Sequence, residues 1–141
     1  MKLRALIGLI GLSSMASLFA QQSEPLQKYR WEYRLLIYNV SESDTETFQE
    51  AITTNHAALT ERHVRLIALS AQIDSTLSLT LDSPSLAQVR KRLQENSDTP
   101  TLYLIGKDGG LKQVTQKIKI EPILQRIDSM PMRQAEMRQT E

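Results

Sequence analysis

Ser41-Glu42-Ser43-Asp44 sets two hydroxyls and two carboxylates in four consecutive positions, directly after the apolar run Arg34 to Val40. Thr99-Pro100-Thr101 leads directly into a second apolar run, Thr101 to Ile105. If the two runs are neighbouring strands, Ser41, Glu42, Ser43, Asp44, Thr99, Pro100 and Thr101 line one polar groove fit for a ligand. Nucleophilic chemistry there is harder to support, because a serine hydroxyl needs an adjacent base. The only imidazoles are His56 and His63, and neither comes with a carboxylate pattern that would make a metal site. There is no cysteine, so the chain has no thiolate for redox or acyl chemistry. The simplest reading of Ser43 and Asp44 is that they cap a helix. No catalytic residue, cofactor or metal ligand is assigned.

Other segments invite a functional reading and mostly resist it. Gly106-Lys-Asp-Gly-Gly110 lacks the Gly-x-x-x-x-Gly-Lys-Ser/Thr frame of a phosphate loop and precedes a strand-like stretch, so it reads as a hairpin turn. Tyr29-Arg-Trp-Glu-Tyr-Arg34 interleaves aromatic and basic residues, a pattern that can stack on bases or sugars. The expectation is that it packs along the sheet with Trp31 half-buried; an exposed Trp31 would instead be a binding hot spot. Met130, Met132 and Met137 offer an adaptable apolar contact surface or, equally, pack the tail onto the last helix. Trp31 and these three methionines form the candidate partner surface. Arg90-Lys-Arg92 reads as a solvated helix face. Asn39-Val-Ser41 fits a glycosylation pattern only formally, because it ends a core strand.

The elements that position these residues follow from periodicity. Arg34 to Val40 and Val64 to Leu69 are apolar on both faces, as in strands covered on both sides. Between them Phe48, Ala51, Ile52 and Leu59 keep helical spacing to about Glu61. Ser43 with Glu46 reads as a capping box at the start of that helix. Residues 74–82 alternate, with Leu77, Leu79 and Leu81 marking a short edge strand. Ser83 then reads as an N-cap followed by Pro84, opening a helix with Leu86, Val89 and Leu93 inward and an end near Asn96. Thr101 to Ile105, the glycine turn and Leu111 to Thr115 make a hairpin. Ile120, Ile123, Leu124 and Ile127 mark a last helix that Pro131 ends or kinks.

The expected fold class is α/β, with strand, helix, strand, helix, strand, strand, helix along the chain. The first two helices serve as crossovers, giving a three-layer sandwich around a mixed sheet. In that layout both histidines lie at the sheet end away from Ser41, which rules out a Ser-His-Asp arrangement with Ser41 or Ser43.

The whole chain sets further bounds. Residues 1–20 read as a signal peptide: basic Lys2 and Arg4, an apolar Ala5 to Leu12, then small residues through Ala16 and Ala20. The serines interrupt this stretch before the roughly 20 apolar residues that a spanning helix needs. Without cysteine, a lipid-modified N-terminus of the bacterial lipoprotein kind is excluded, and localisation is expected to be periplasmic or secreted. Residues 21–28 read as a flexible leader, and 29–141 as a single domain including the Met-rich tail. Setting Lys2 and Arg4 aside leaves 15 basic residues against 16 acidic ones, too balanced for a nucleic-acid binder.

The element order, with Thr99-Pro100-Thr101 before the third strong strand, resembles the thioredoxin fold. Three segments sharpen that resemblance: Tyr29-Arg-Trp-Glu-Tyr-Arg-Leu-Leu36, Leu104-Ile-Gly-Lys-Asp-Gly-Gly-Leu-Lys112, and Ile127-Asp-Ser-Met-Pro-Met-Arg-Gln-Ala-Glu-Met-Arg138. Together they resemble the thioredoxin-like P-DUDES family, domain of unknown function 4174, over nearly all of residues 29–141. The resemblance implies a thioredoxin-like fold, a cis Pro100 facing the groove and an extracytoplasmic setting. It implies no reaction, and the family pattern does not demand proline at position 100. The function expected is an exported non-redox binding or scaffold module with an envelope or extracellular protein as partner. Two alternatives stand beside it: an accessory of an oxidoreductase complex that borrows its thiol, and an enzyme built on Ser41, Glu42 or Asp44.

Overall fold

The computed structural model describes residues 24–95 and 98–140. The expected signal peptide lies outside the described residues. Five strands, β1 (Arg34–Asn39), β2 (Val64–Ala68), β3 (Ser78–Leu79), β4 (Thr101–Ile105) and β5 (Leu111–Thr115), form one sheet in the order β3-β2-β1-β4-β5. β1, β2 and β3 are mutually parallel, whereas β4 runs antiparallel to β1 and β5 antiparallel to β4. The α/β class and the mixed sheet expected from the sequence are therefore present.

Alternation along β1 builds two cores, one on each face. Leu36, Tyr38 and Val40 point to one side, where they meet α1 (Thr45–Thr54), α2 (His56–Glu61) and α4 (Glu121–Asp128) through Phe48, Ile52, Leu59, Ile123 and Ile127. Leu35 and Ile37 point to the other side, against Val89 of α3 (Ser83–Leu93). Leu26 is buried in this second core, so the segment read as a flexible leader is packed from Glu24 onward, and Glu24 pairs with Arg92. Burial on both faces is what makes β1 and β4 read as unbroken apolar runs.

Several boundaries differ from expectation for local reasons. The first helix breaks at Asn55, whose side-chain amide donates to the Ala51 carbonyl at 2.8 Å and so competes with the helical ladder. The Ser43–Glu46 capping box does not form. A 3-10 turn over Glu42–Asp44 precedes α1, and the Ser43 hydroxyl is engaged by Ser41 instead. The cap of α3 is Asp82 rather than Ser83, its carboxylate accepting the Ser85 N–H at 2.7 Å. The edge strand of residues 74–82 shrinks to two residues, because a turn bonding the Ser78 N–H to the Ser75 carbonyl consumes its start. α3 does not connect a parallel pair, since β4 is antiparallel to its neighbour β1.

The chain after Asp128 turns and starts a further helix, α5 (Pro131–Gln139), so Pro131 opens a new helix rather than kinking the old one. At the β4–β5 hairpin, Gly109 has φ +83° and its missing Cβ leaves room for the Arg30 guanidinium, which would clash with that carbon, two demands that only glycine meets. No cis peptide bond occurs among the described residues, so the Thr99–Pro100 bond is trans, unlike the cis proline implied by the resemblance.

Candidate functional site

The register of β1 against β2, Arg34 opposite Val64 and Tyr38 opposite Ala68, sends the two ends of the sheet to separate environments. At the end where β1 stops, the chain leaves through Asn39 and Val40 and β4 begins beside it. A pocket of about 380 Å³ opens here, its wall including Asn39, Ser41, Glu42, Ser70, Asp98 and Pro100. The structure thus brings Ser41, Glu42 and Pro100 together, while Ser43, Asp44, Thr99 and Thr101 stay out of the wall. The Ser41 hydroxyl donates to Asp44 Oδ2 at 2.7 Å and lies 3.0 Å from the Ser43 hydroxyl. Thr101 is buried and its hydroxyl donates to the Thr99 carbonyl at 2.9 Å. Ser70 clamps Val40, donating to its carbonyl and accepting from its N–H. These hydroxyls are spent on holding the loop.

One polar atom at this end is left over. The Asn39 amide donates to Glu95 Oε1 at 2.6 Å, while the buried Glu95 Oε2 has no partner among the described residues. No histidine reaches this end: His63 stands just before β2 and His56 opens α2, its Nε2 2.9 Å from the Thr76 hydroxyl. A Ser–His pair involving Ser41 is therefore absent, as the strand directions require.

The opposite end holds a network of charged side chains. Arg34 heads β1 with only 1% of its side chain exposed, although Leu35, Leu36 and Ile37 follow it directly. Its Nη1 donates to the Arg62 carbonyl at 2.9 Å and to Glu136 Oε2 at 3.1 Å. Lys107, just after β4, donates from Nζ to Glu136 Oε1 at 2.6 Å and meets His63 Nδ1 at 2.7 Å. From α5, Arg133 donates to Glu61 Oε1 at 2.9 Å, while Arg62 grips Asp128 with two bonds of 2.9 and 2.8 Å. Residues from β1, the β2 and β4 ends, α2, α4 and α5 converge on one network.

The electrostatics follow from these contacts. Burial raises the Glu136 carboxyl, but the hydrogen bonds from Lys107 and Arg34 outweigh it and hold the group down at about 2. Burial, then the Lys107 charge, push His63 below its ordinary value, so its Nδ1 is the acceptor and Lys107 the donor. The Arg62 fork depresses Asp128 and raises Arg62 in turn. A general base works best with a pKa near the operating pH, and Glu136 is far below it. This network fastens α5 to the sheet. Among the described residues no group of three His, Cys, Asp or Glu side chains is placed to hold a metal ion.

The partner surface separates into unlike parts. Trp31 is not half-buried: it is 65% exposed, with its backbone at φ 68°. The reason is a short bond from the Trp31 N–H to the Lys107 carbonyl at 2.7 Å, which turns the chain so that the indole leaves the sheet. Met130 is in the core, Met132 is exposed and Met137 half-buried, so the three do not form one surface. Sequence reasoning missed Lys107, Arg133 and Glu136. The spacing of Arg133 and Glu136, one helical turn apart beside two methionines, is the signal that marks an inward charged face.

The chain is thus an α/β protein with a polar pocket at one end of a five-stranded mixed sheet and a charge network at the other. The model of the family described as Domain of unknown function (DUF4174) matches residues 25–136, a span that holds every residue of both ends, and the chain belongs to that family. A search among curated proteins finds no match.

Proposed function

We propose that this protein is an exported, non-redox, thioredoxin-like binding module that engages a protein partner of the cell envelope through Trp31. The observation that carries this reading is the conformation of that residue. A left-handed backbone costs a residue with a Cβ on the order of 1–2 kcal/mol, and leaving an indole in water forgoes its large burial energy. Both costs fall on the chain's only tryptophan, 65% exposed, and strain of this kind collects at functional positions. The mixed sheet with its antiparallel β4–β5 pair and helices on both faces supports the thioredoxin-like reading. Lack of cysteine removes that fold's thiol chemistry, and the signal-like residues 1–20 support export. Among the described residues, no helix is long and apolar enough to cross a membrane.

The test is a crosslinking capture with residues 21–141 against the envelope fraction of the source, run beside Trp31→Ala and Met132→Ala. A partner captured by the normal chain and by Met132→Ala but lost with Trp31→Ala is the expected result. Equal capture by Trp31→Ala, or no capture by any of the three, overturns the reading.

A further inference from the structure

A second concavity, of about 340 Å³, lies at the charged end of the sheet, between the β4–β5 turn and the first turn of α5. Its wall includes four cations: Arg34, Lys107, Lys112 and Arg126. Two acids touch them. Asp108 pairs with Lys112 at 2.8 Å, and Glu136 is shared between Lys107 and Arg34. Two positive charges remain in excess.

Two cations have unused capacity. Arg34 is one of the residues that line the pocket, and its buried Nε has no hydrogen-bond partner among the described residues. An unmet donor on a buried charged group is among the costlier defects a fold can carry. Arg126 is exposed and donates from Nη1 only to the Ser129 hydroxyl, at 3.2 Å, with no carboxylate against it among the described residues. The first turn of α5 adds to this. Met130 stands at its N-cap with no side-chain oxygen to offer and makes no side-chain capping bond, and Pro131 follows. The free N–H groups of such a turn favour an anion. Beside the charged residues, Asp108 among them, Met130 and Met132 give the wall an apolar, adaptable part.

We propose that this pocket binds an organic carboxylate: the anion lies among Arg34, Arg126 and the start of α5, and a short apolar group rests on Met130 and Met132. A bare inorganic anion would use the cations and leave the thioether wall without purpose. The same chemistry is found in a free short-chain acid and in the C-terminal carboxylate of a peptide. The site does not depend on Trp31, so it stands or falls apart from the partner reading.

Isothermal titration of residues 21–141 at low ionic strength separates these sources, using hexanoate, N-acetyl-alanyl-leucine and inorganic phosphate as probes. At least one carboxylate should saturate the protein, bind more tightly than phosphate, and lose about tenfold in affinity with Arg126→Gln. Among the described residues Arg126 makes only the Ser129 side-chain contacts, so that variant keeps its fold; Lys112→Gln, on the β5 side of the pocket, should weaken binding as well. The tighter of the two carboxylates identifies the source. Absence of saturation by both, unchanged affinity in Arg126→Gln, or phosphate binding as tightly as the acids overturns the proposal.

Discussion

Glu136 Oε1 lies 2.6 Å from Lys107 Nζ, joining the C-terminal helix to the end of β4 across 29 residues of chain. The same carboxylate accepts from Arg34 through its other oxygen, so one acid is shared by two buried cations. Breaking a buried pair from one side leaves an uncompensated charge and costs roughly 3–5 kcal/mol. Glu136→Gln should therefore lower stability by about 3 kcal/mol, read as a shifted urea midpoint with an unchanged slope. A variant as stable as the parent would mean that α5 is held by its apolar contacts alone.

Acid should act through the same group. Glu136 is depressed from 4.5 to about 2 in the folded protein, so the unfolded chain binds its proton first as pH falls. Its contribution is fully present above pH 4.5 and disappears between 4.5 and about 2. The shift corresponds to about 3 kcal/mol. His63 is also depressed, by burial and by Lys107, with Arg34 and Arg133 adding to the effect and Glu136 opposing it. The unfolded chain takes that proton first too, so stability should begin to decline as pH drops through about 6.5. Denaturation midpoints between pH 8 and 3 should show both steps. His63→Gln should remove the upper step and keep the lower, and two steps surviving in that variant would show that His63 is not the upper group.

The strands were legible because their chemistry is one-dimensional. Arg34 to Asn39 and Thr101 to Ile105 are buried on both faces, and a run of apolar residues records that without reference to the rest of the chain. The hairpin at Gly109 was legible for a similar reason, since one residue type meets a backbone demand. The polar pocket was legible in part: strand order brings Ser41, Glu42 and Pro100 to one wall, but which hydroxyls are already spent on loop geometry is a tertiary fact. The charged end was not legible. Arg34 and Glu136 are 102 residues apart, and an arginine at a strand start reads as solvated until an acid from α5 is seen to cover it. The exposure of Trp31 had no sequence signal either, because it follows from one backbone bond to Lys107 that turns the indole outward.

Tyr38 shows what a single hydroxyl does in the larger core. Its ring is fully buried 4.8 Å from Phe48, and its oxygen accepts the Ile73 N–H at 3.1 Å. Burial raises its pKa, with the Ile73 bond opposing, so the group stays a neutral phenol near neutrality. Tyr38→Phe keeps the ring contact and leaves the Ile73 N–H without an acceptor, which costs about 1–3 kcal/mol. Hydrogen exchange gives the site-specific readout: the Ile73 amide should lose protection beyond the global change. Protection that falls only in step with global stability would mean that another acceptor or water replaces the phenol.

Trp31 allows backbone strain and side-chain function to be separated in one position. Its φ of 68° is accessible to glycine without a Cβ clash, but alanine bears the same penalty as tryptophan. Trp31→Gly should therefore be more stable than Trp31→Ala by about 1 kcal/mol, less whatever glycine adds to the entropy of the unfolded chain. Both variants remove the exposed indole equally, so both should lose the partner captured by the normal chain. The parent's only tryptophan should emit as a solvated indole in the free protein and shift to the blue when a partner covers it. If glycine is no better than alanine, the left-handed turn at Trp31 carries no strain, and the exposed indole no longer has a conformational cost that calls for a functional explanation.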